Sequence, residues 1–404
     1  MRAVPMRFFS KTRLLAAFSI ICTGALIANP QVAIDASIRG LSMWWYVVFP
    51  SLLPFFIMSE LLIGFGVVSF LGVLLEPFMR PIFRVPGHGG FVWAMGLASG
   101  NPAGAKLAVR MRQANVVTRI EGERLTSFTS SANPLFIFGA IAVGFFHHPN
   151  LGLLLAIAHY GGNILVGLCF RFYGTNNAQR TTIQNHNDRE GFTRLYKNRI
   201  QTEQTLGILL GDAVRTSIQT LLLIGGFIIL FSVLSELLTT IGLLSIAATA
   251  MSGIFAIIGL HTDLSKPFIA GIFEITIGIE QISTLPSTPL AAQIIVTSFI
   301  LAFGGLSIQA QVASILAESD LRFRPFFYAR LLHGLFAAVL TAILFQPLYV
   351  RHAVETTTFA PFNDAIFGTT IWALLQQYGG DMTLIALIVF IFLNARKQTR
   401  PVFH

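Results

Sequence analysis

Long apolar runs decide what this chain can fold into. They cover Leu14 to Ala28, Trp44 to Leu75, Phe128 to Phe146, Leu151 to Phe170, Leu221 to Leu238, Ile241 to Leu260, Ile294 to Leu316, Phe326 to Leu348 and Ile371 to Leu393. Several approach or exceed the roughly 20 residues that a bilayer-spanning helix needs. Charged residues make up 11% of the chain, less than half of the about 25% found in soluble domains, so its main solvent is lipid. The ten-residue alternating segments of a membrane β-barrel do not occur. The expectation is an all-α, polytopic membrane protein of about nine to eleven segments.

The net charge of +9 does not point to nucleic acid. Lys and Arg gather at the ends of the apolar runs, as cytoplasmic loops collect them, so the expected partners are the lipid bilayer and a small-molecule solute, with a homo-oligomer left open. The opening residues, "MRAVPMRFFSKTRLLAAFSIICTGALIANP", read as an uncleaved first helix rather than a signal peptide. Cys22 and Cys169 fall in apolar runs without CxxC spacing and are expected to be buried thiols. Residues 174–205 are polar throughout, too poor in apolar residues to bury a core, and divide the chain. This gives residues 1–40 as a basic segment and first helix, 41–173 as a first repeat, 174–205 as a linker, 206–350 as a second repeat and 351–404 as a C-terminal loop and last helix.

Both halves share a pattern at an offset of 171 residues. "TSFTSSANPLFI" from Thr126 aligns with "TSFILAFGGLSI" from Thr297, Gly100 meets Gly271, and Ala158 meets Ala329. Within the pattern lie interruptions that a spanning helix does not want. In "GLASGNPAGAKLAVRM", residues 96–111, glycine relaxes the backbone while Pro102 removes an amide donor and pushes Asn101 out of the α region. The chain then restarts as a helix from Ala103, its positive end favouring an anion. "TSSANPLF" at 129–136 and "AFGGLSIQAQ" at 302–311 break two further runs, and "PFIAGIFEITIGIEQIS" at 267–283 is the counterpart of the first stretch. Non-helical backbone at membrane depth is tolerated only where protein buries it or where it lines a cavity, and transporters build solute sites from such pieces. Residues 96–110 and 267–283 are therefore expected to be re-entrant or broken, with their tips meeting near the midplane.

The candidate substrate-binding residues are Ser99, Gly100, Asn101 and Lys106 at the first interruption, Ser130, Ser131 and Asn133 at the second, Glu274 and Thr276 at the third, and Gly304, Gly305, Ser307 and Gln309 at the fourth. Charges inside a membrane are expensive and usually functional, which singles out Glu274; it pairs with Lys106 or binds a driving proton or cation. Gln309 and Gln311 lie on different sides of a helix, so one of them faces the cavity. Glu280 is either part of that site or the mark of a hairpin tip at the interface. Glu60, Glu76 and Glu236 lie near run ends and read as interfacial. His333 reads as a packing residue bonded to a neighbour, and His147 and His148 lack a spaced third metal ligand.

"GLASGNPAGAKLA", "TSSANPLFIFGAIAVGFF", "FEITIGIEQIS" and above all "AFGGLSIQAQVASILAESDLRFRPFFYARLLHGLFAAVLT" resemble the YlbJ-type sporulation integral membrane proteins over roughly residues 40 to 350. These carry the nucleoside-recognition, or Gate, domain, which is similar to the core of concentrative nucleoside transporters. The resemblance implies inverted repeats, a location in the cell membrane or the outer forespore membrane, and dipicolinate, a small aromatic dicarboxylate, as the solute. It implies no role for residues 174–205 or for "PGHGG" at 86–90.

No enzyme or cofactor is expected. "GFGVVS" at 64–69 lies in an apolar run with no strand before it, "GNPAGAK" lacks Walker A spacing, and HExxH and GxSxG are missing. Two function classes stay open: a secondary or facilitative transporter for a small anionic or nucleoside-like solute, and a non-transporting membrane scaffold in spore-envelope assembly.

Overall fold

A computed structural model describes residues 6–65, 77–174 and 206–350. Glu76, residues 175–205 and the last apolar run, at 371–393, lie outside the described residues. The chain opens with α1 (Met6–Ala28) and α2 (Pro30–Met43), which passes through a wide turn at Trp44–Val48 into α3 (Phe49–Gly64). Pro30 has no amide to continue the first helix, and the chain bends by 100° there. Next come α4 (Gly89–Ser99), α5 (Ala103–Gln113), α6 (Arg119–Thr129), a wide helix over Phe136–Phe145 and α7 (Leu151–Phe170). After the linker follow α8 (Leu206–Thr240), α9 (Leu243–Ile257), α10 (Ser265–Phe273), α11 (Ile275–Ser283), α12 (Leu290–Phe303), α13 (Gly305–Leu316) and α14 (Phe323–Leu344).

The order hairpin, broken span, whole span occurs twice. Helices α5, α6 and α7 begin at Ala103, Arg119 and Leu151, and α11, α12 and α14 at Ile275, Leu290 and Phe323, close to the 171-residue offset of the sequence pattern. In the first hairpin α4 and α5 meet at a tip of Gly100, Asn101 and Pro102, and in the second α10 and α11 meet at Glu274. Both hairpins close on glycine. A Cβ on Gly278 would overlap the backbone of Gly271, and one on Gly96 or Gly104 would overlap the Thr129 carbonyl at the end of α6. Both interruptions expected at 96–110 and 267–283 are thus re-entrant turns rather than continuous helices.

The broken spans divide at Ser130–Asn133 and at Gly304. Gly304 ends α12 with φ 85° and Gly305 follows at φ 60°, a left-handed backbone that a side chain resists. Among the described residues four helices are long and apolar enough to cross a bilayer, or five if the bent α1–α2 pair is one span. Helix α8, about 52 Å long at 1.5 Å per residue, exceeds the about 30 Å hydrocarbon core, and its first turns carry Asp212 and Arg215.

Helices α2 and α3 lie along α8. Trp44 donates to the Leu221 carbonyl at 2.9 Å over the bare surface of Gly225, and Ser232 donates to the Ala36 carbonyl at 2.8 Å. Apolar side chains such as Ile157, Leu222 and Ile343 face outward, as lipid-covered surfaces do. Cys169 belongs with them and Cys22 is half-buried, which corrects the expectation of two buried thiols. A lipid-facing position is as apolar in sequence as a core position.

Candidate functional site

Each interruption frees backbone groups that lipid cannot satisfy, and all four converge on one cavity of ≈ 70 Å³. Gly100 and Asn101 enter from the first tip, Asn133 and Phe136 from the first break, Glu274 and Thr276 from the second tip, and Ser307 and Gln311 from α13. Val48, Leu52, Ile224 and Ile228 of the α3–α8 layer close the remaining side. The result is a polar floor under an apolar roof.

Glu274 caps α11. Its backbone is extended, and its Oε2 accepts from the amides of Thr276 at 2.8 Å and Ile277 at 3.1 Å and from the Thr276 hydroxyl. The carboxylate thus sits on the positive end of a helix, where charge is favoured. It is 2% exposed. At the first break Asn133 does the same work, its Oδ1 accepting from the Phe136 amide at 2.8 Å. Asn101 Oδ1 is buried without a hydrogen-bond partner.

Two other cavities flank this one. Ser99, Pro102, Lys106 and Arg110 share a cavity of ≈ 60 Å³ with Glu60, Phe56, Ser217 and Thr220. Lys106 and Glu274 line different cavities, and among the described residues no ion pair joins them. Glu60 lines the same cavity as Lys106. A larger cavity of ≈ 270 Å³ lies across Ile228, lined by Arg39, Glu236, Lys266, Glu280 and Gln281 among others. Arg39 and Glu236 pair there at 2.7 Å with both side chains partly exposed.

Behind the first break lies a fully buried polar cluster. Arg330 donates to the carbonyls of Ser127 and Ser130 and, at 3.2 Å, to Asn163 Oδ1. His333 meets Arg330 at 2.9 Å and the His159 carbonyl at 2.7 Å, and His159 Nε2 accepts from the Ala132 amide at 2.9 Å. The repeats are also clasped at one surface. Arg322 holds Glu123 through its amide, Nε and Nη2, and Tyr173 donates to the same carboxylate at 2.7 Å. Burial and Glu123 push the Tyr173 phenol up to about 12. Nearby, Arg112 holds Asp320 with two bonds, of 2.8 and 2.9 Å.

This arrangement has relatives. A Gate (nucleoside recognition) family model matches residues 45–147 and 221–319, which contain both hairpins and both broken spans. The "Sporulation integral membrane protein YlbJ" of Bacillus subtilis (strain 168) is 52% identical over 396 residues, covering 96% of this chain and 97% of that protein. The chain belongs to the YlbJ family. It is an integral membrane protein. Its fold is similar to CNTnw in an inward-facing substrate-bound state, with a TM-score of 0.53 and 15% identity over 86% of this chain and 87% of that one. A doubly substituted CNTnw in an outward-facing state is similar at TM-score 0.50 and 14% identity, over 85% of this chain and 87% of that one. At that identity the likeness concerns the fold: the concentrative nucleoside transporter architecture, shared by this YlbJ-family chain.

Among the residues singled out from sequence, the cavity gathers Gly100, Asn101, Asn133, Glu274, Thr276 and Ser307. Ser99 and Lys106 line its neighbour. Ser131 braces the first break by donating to the Gly96 carbonyl at 3.2 Å, while Ser130 takes part through its carbonyl, which accepts from Arg330, and its hydroxyl is buried without a partner. Gly304 and Gly305 form the second break, and Gln309 donates to the Phe303 carbonyl at 3.0 Å rather than lining the cavity. Gln311 takes the lining position in its place. Sequence reasoning passed over Arg330 altogether. A signal was present, since Arg330 follows an apolar turn, "FFYA", in a helix that continues apolar.

Proposed function

We propose that this chain carries a small solute across its membrane as a secondary or facilitative transporter, with dipicolinate as the solute. The observation that carries the reading is the cavity where two re-entrant tips and two helix breaks meet. Buried polar groups cost free energy unless they are bonded, and a scaffold gains nothing from placing Asn101, Glu274, Thr276, Ser307 and Gln311 together at membrane depth. A volume of ≈ 70 Å³ is well below the about 300 Å³ of ordinary ligand pockets. Entry of a solute therefore requires the tips to separate from the α3–α8 layer.

An aromatic dicarboxylate finds amide and hydroxyl donors at Asn101, Asn133, Gln311 and Ser307, helix N-termini at α5 and α13, and an apolar slot for its ring. One observation favours a second reading. Glu274 is the ionisable group lining the cavity, and a carboxylate there accepts from the hydroxyls of a neutral, nucleoside-like solute. The experiment is uptake of labelled dipicolinate, with labelled uridine beside it, by the purified chain in liposomes. Saturable dipicolinate uptake above that of uridine is the expected result. The reverse order selects the nucleoside reading, and uptake of neither returns the chain to a scaffold role in the spore envelope.

A further inference from the structure

The carbonyls of Ser127 and Ser130 close the C-terminal end of the half-helix α6. Such an end carries partial negative charge, and in transporters built from broken helices these carbonyls hold the exchangeable Na⁺ or H⁺. Here they receive the guanidinium of Arg330, 1% exposed and reaching over from the second repeat. Asn163 Oδ1 supplies a third oxygen at 3.2 Å, and the Phe326 ring lies 5.6 Å from the guanidinium carbon. Three oxygens and a ring face make a cation cradle.

The cluster holds no compensating acid. Among the described residues no carboxylate pairs with Arg330. His333 Nδ1 accepts from Arg330, which puts the ring proton on Nε2 to donate to the His159 carbonyl; His159 Nε2 accepts from the Ala132 amide. Both rings are neutral in that network. Within this cluster of described residues Arg330 is then the one formal charge, balanced by backbone carbonyls and by neutral side chains, Asn163, His333 and Phe326.

We propose that Arg330 is a resident cation. Its guanidinium fills the cradle that an exchangeable coupling ion would fill, so the chain works with no such ion bound at the first break. The proposal rests on the transporter reading for its functional half, while the cradle itself is testable by stability.

The test uses the full chain purified in detergent. The wild-type unfolding midpoint should be the same in NaCl and in N-methylglucamine chloride at equal ionic strength. Arg330→Ala should lower the midpoint by about 5 °C, and millimolar methylguanidinium should restore part of that loss saturably, without any effect on the wild type. No restoration by methylguanidinium or by Na⁺ would overturn the proposal, because a mere packing role gives no cation response. Should Arg330→Ala fail to accumulate, Arg330→Lys against Arg330→Met decides: stability kept by Lys alone supports the cradle, and equal loss overturns it. In liposomes, wild-type uptake should change less than about twofold when Na⁺ is replaced, and strict Na⁺ dependence would also overturn it. A wild type that transports neither solute sinks the transporter reading and leaves the stability result to stand by itself.

Discussion

The two broken spans solve one problem by different means. At the first break, Ser130 leaves helical geometry at φ −92° and ψ 109°, and side chains from elsewhere take up freed groups: Arg330 from α14 and His159 from α7, while Ser131 ties the break back onto Gly96. At the second, Gly304 and Gly305 turn the chain by backbone conformation, and Gln309 of the same segment satisfies the Phe303 carbonyl. A repeat fixes where a helix must stop, and leaves open whether borrowed side chains or bare glycine stop it. The first solution leans on distant elements; the second is carried mainly by the segment's own glycines and Gln309.

The comparison breaks first at His159. His159→Leu removes the acceptor of the Ala132 amide and strands it in a dry cluster, so a loss of about 2–3 kcal/mol is expected, read as a fall in the unfolding midpoint. A neutral outcome would mean that the first break does not depend on borrowed groups. Next comes glycine. Gly305→Ala forces a side chain into φ 60° with its Cβ 3.2 Å from the Gly271 carbonyl, and about 1–2 kcal/mol should be lost. Stabilisation by that change would show that the second break is not held by conformation. Ser131→Ala sharpens the contrast, removing one hydrogen bond for about 1 kcal/mol; a loss equal to that of His159→Leu would make Ser131 as strong a brace as His159.

The smallest expected effect concerns pH. The Arg112 hydrogen bonds hold Asp320 below the usual carboxylate range, so its contribution is present above the unfolded value of about 3.9. It is lost as pH falls through the lower folded value. Thermal midpoints measured from pH 6 down to pH 3 should fall slightly less in Arg112→Met than in the wild type. Identical profiles would remove this clasp from the account.

Local chemistry made the interruptions legible. Gly-Asn-Pro and Ala-Asn-Pro interrupt a helix because proline removes an amide donor and disfavours the α region before it, and Glu274 stood out as a charge in an apolar run. Gly-Gly is weaker, ending a helix at Gly304–Gly305 and continuing one at Gly225–Gly226. Tertiary placement was not legible. Whether Gln309 or Gln311 faces the cavity depends on how α13 is rotated after two left-handed residues, and spacing does not record that rotation. Lys106 and Glu274 looked like partners because both sit beside tips, yet they line different cavities. Arg330 was hidden in "RFRPFFYAR", where the neighbouring arginines belong to the surface and this one does not.

Gly96 and Gly104 leave the first hairpin seated directly on the Thr129 carbonyl, with no side chain between to act as a cushion. A hairpin so seated has no freedom to flap as a surface loop does in nanoseconds to microseconds. Any displacement of its tip carries the end of α6 along, and through the carbonyls of Ser127 and Ser130 it carries α14 as well. The clock for such a block is that of collective domain motion, microseconds to milliseconds, and that interval sets the fastest turnover the site can reach.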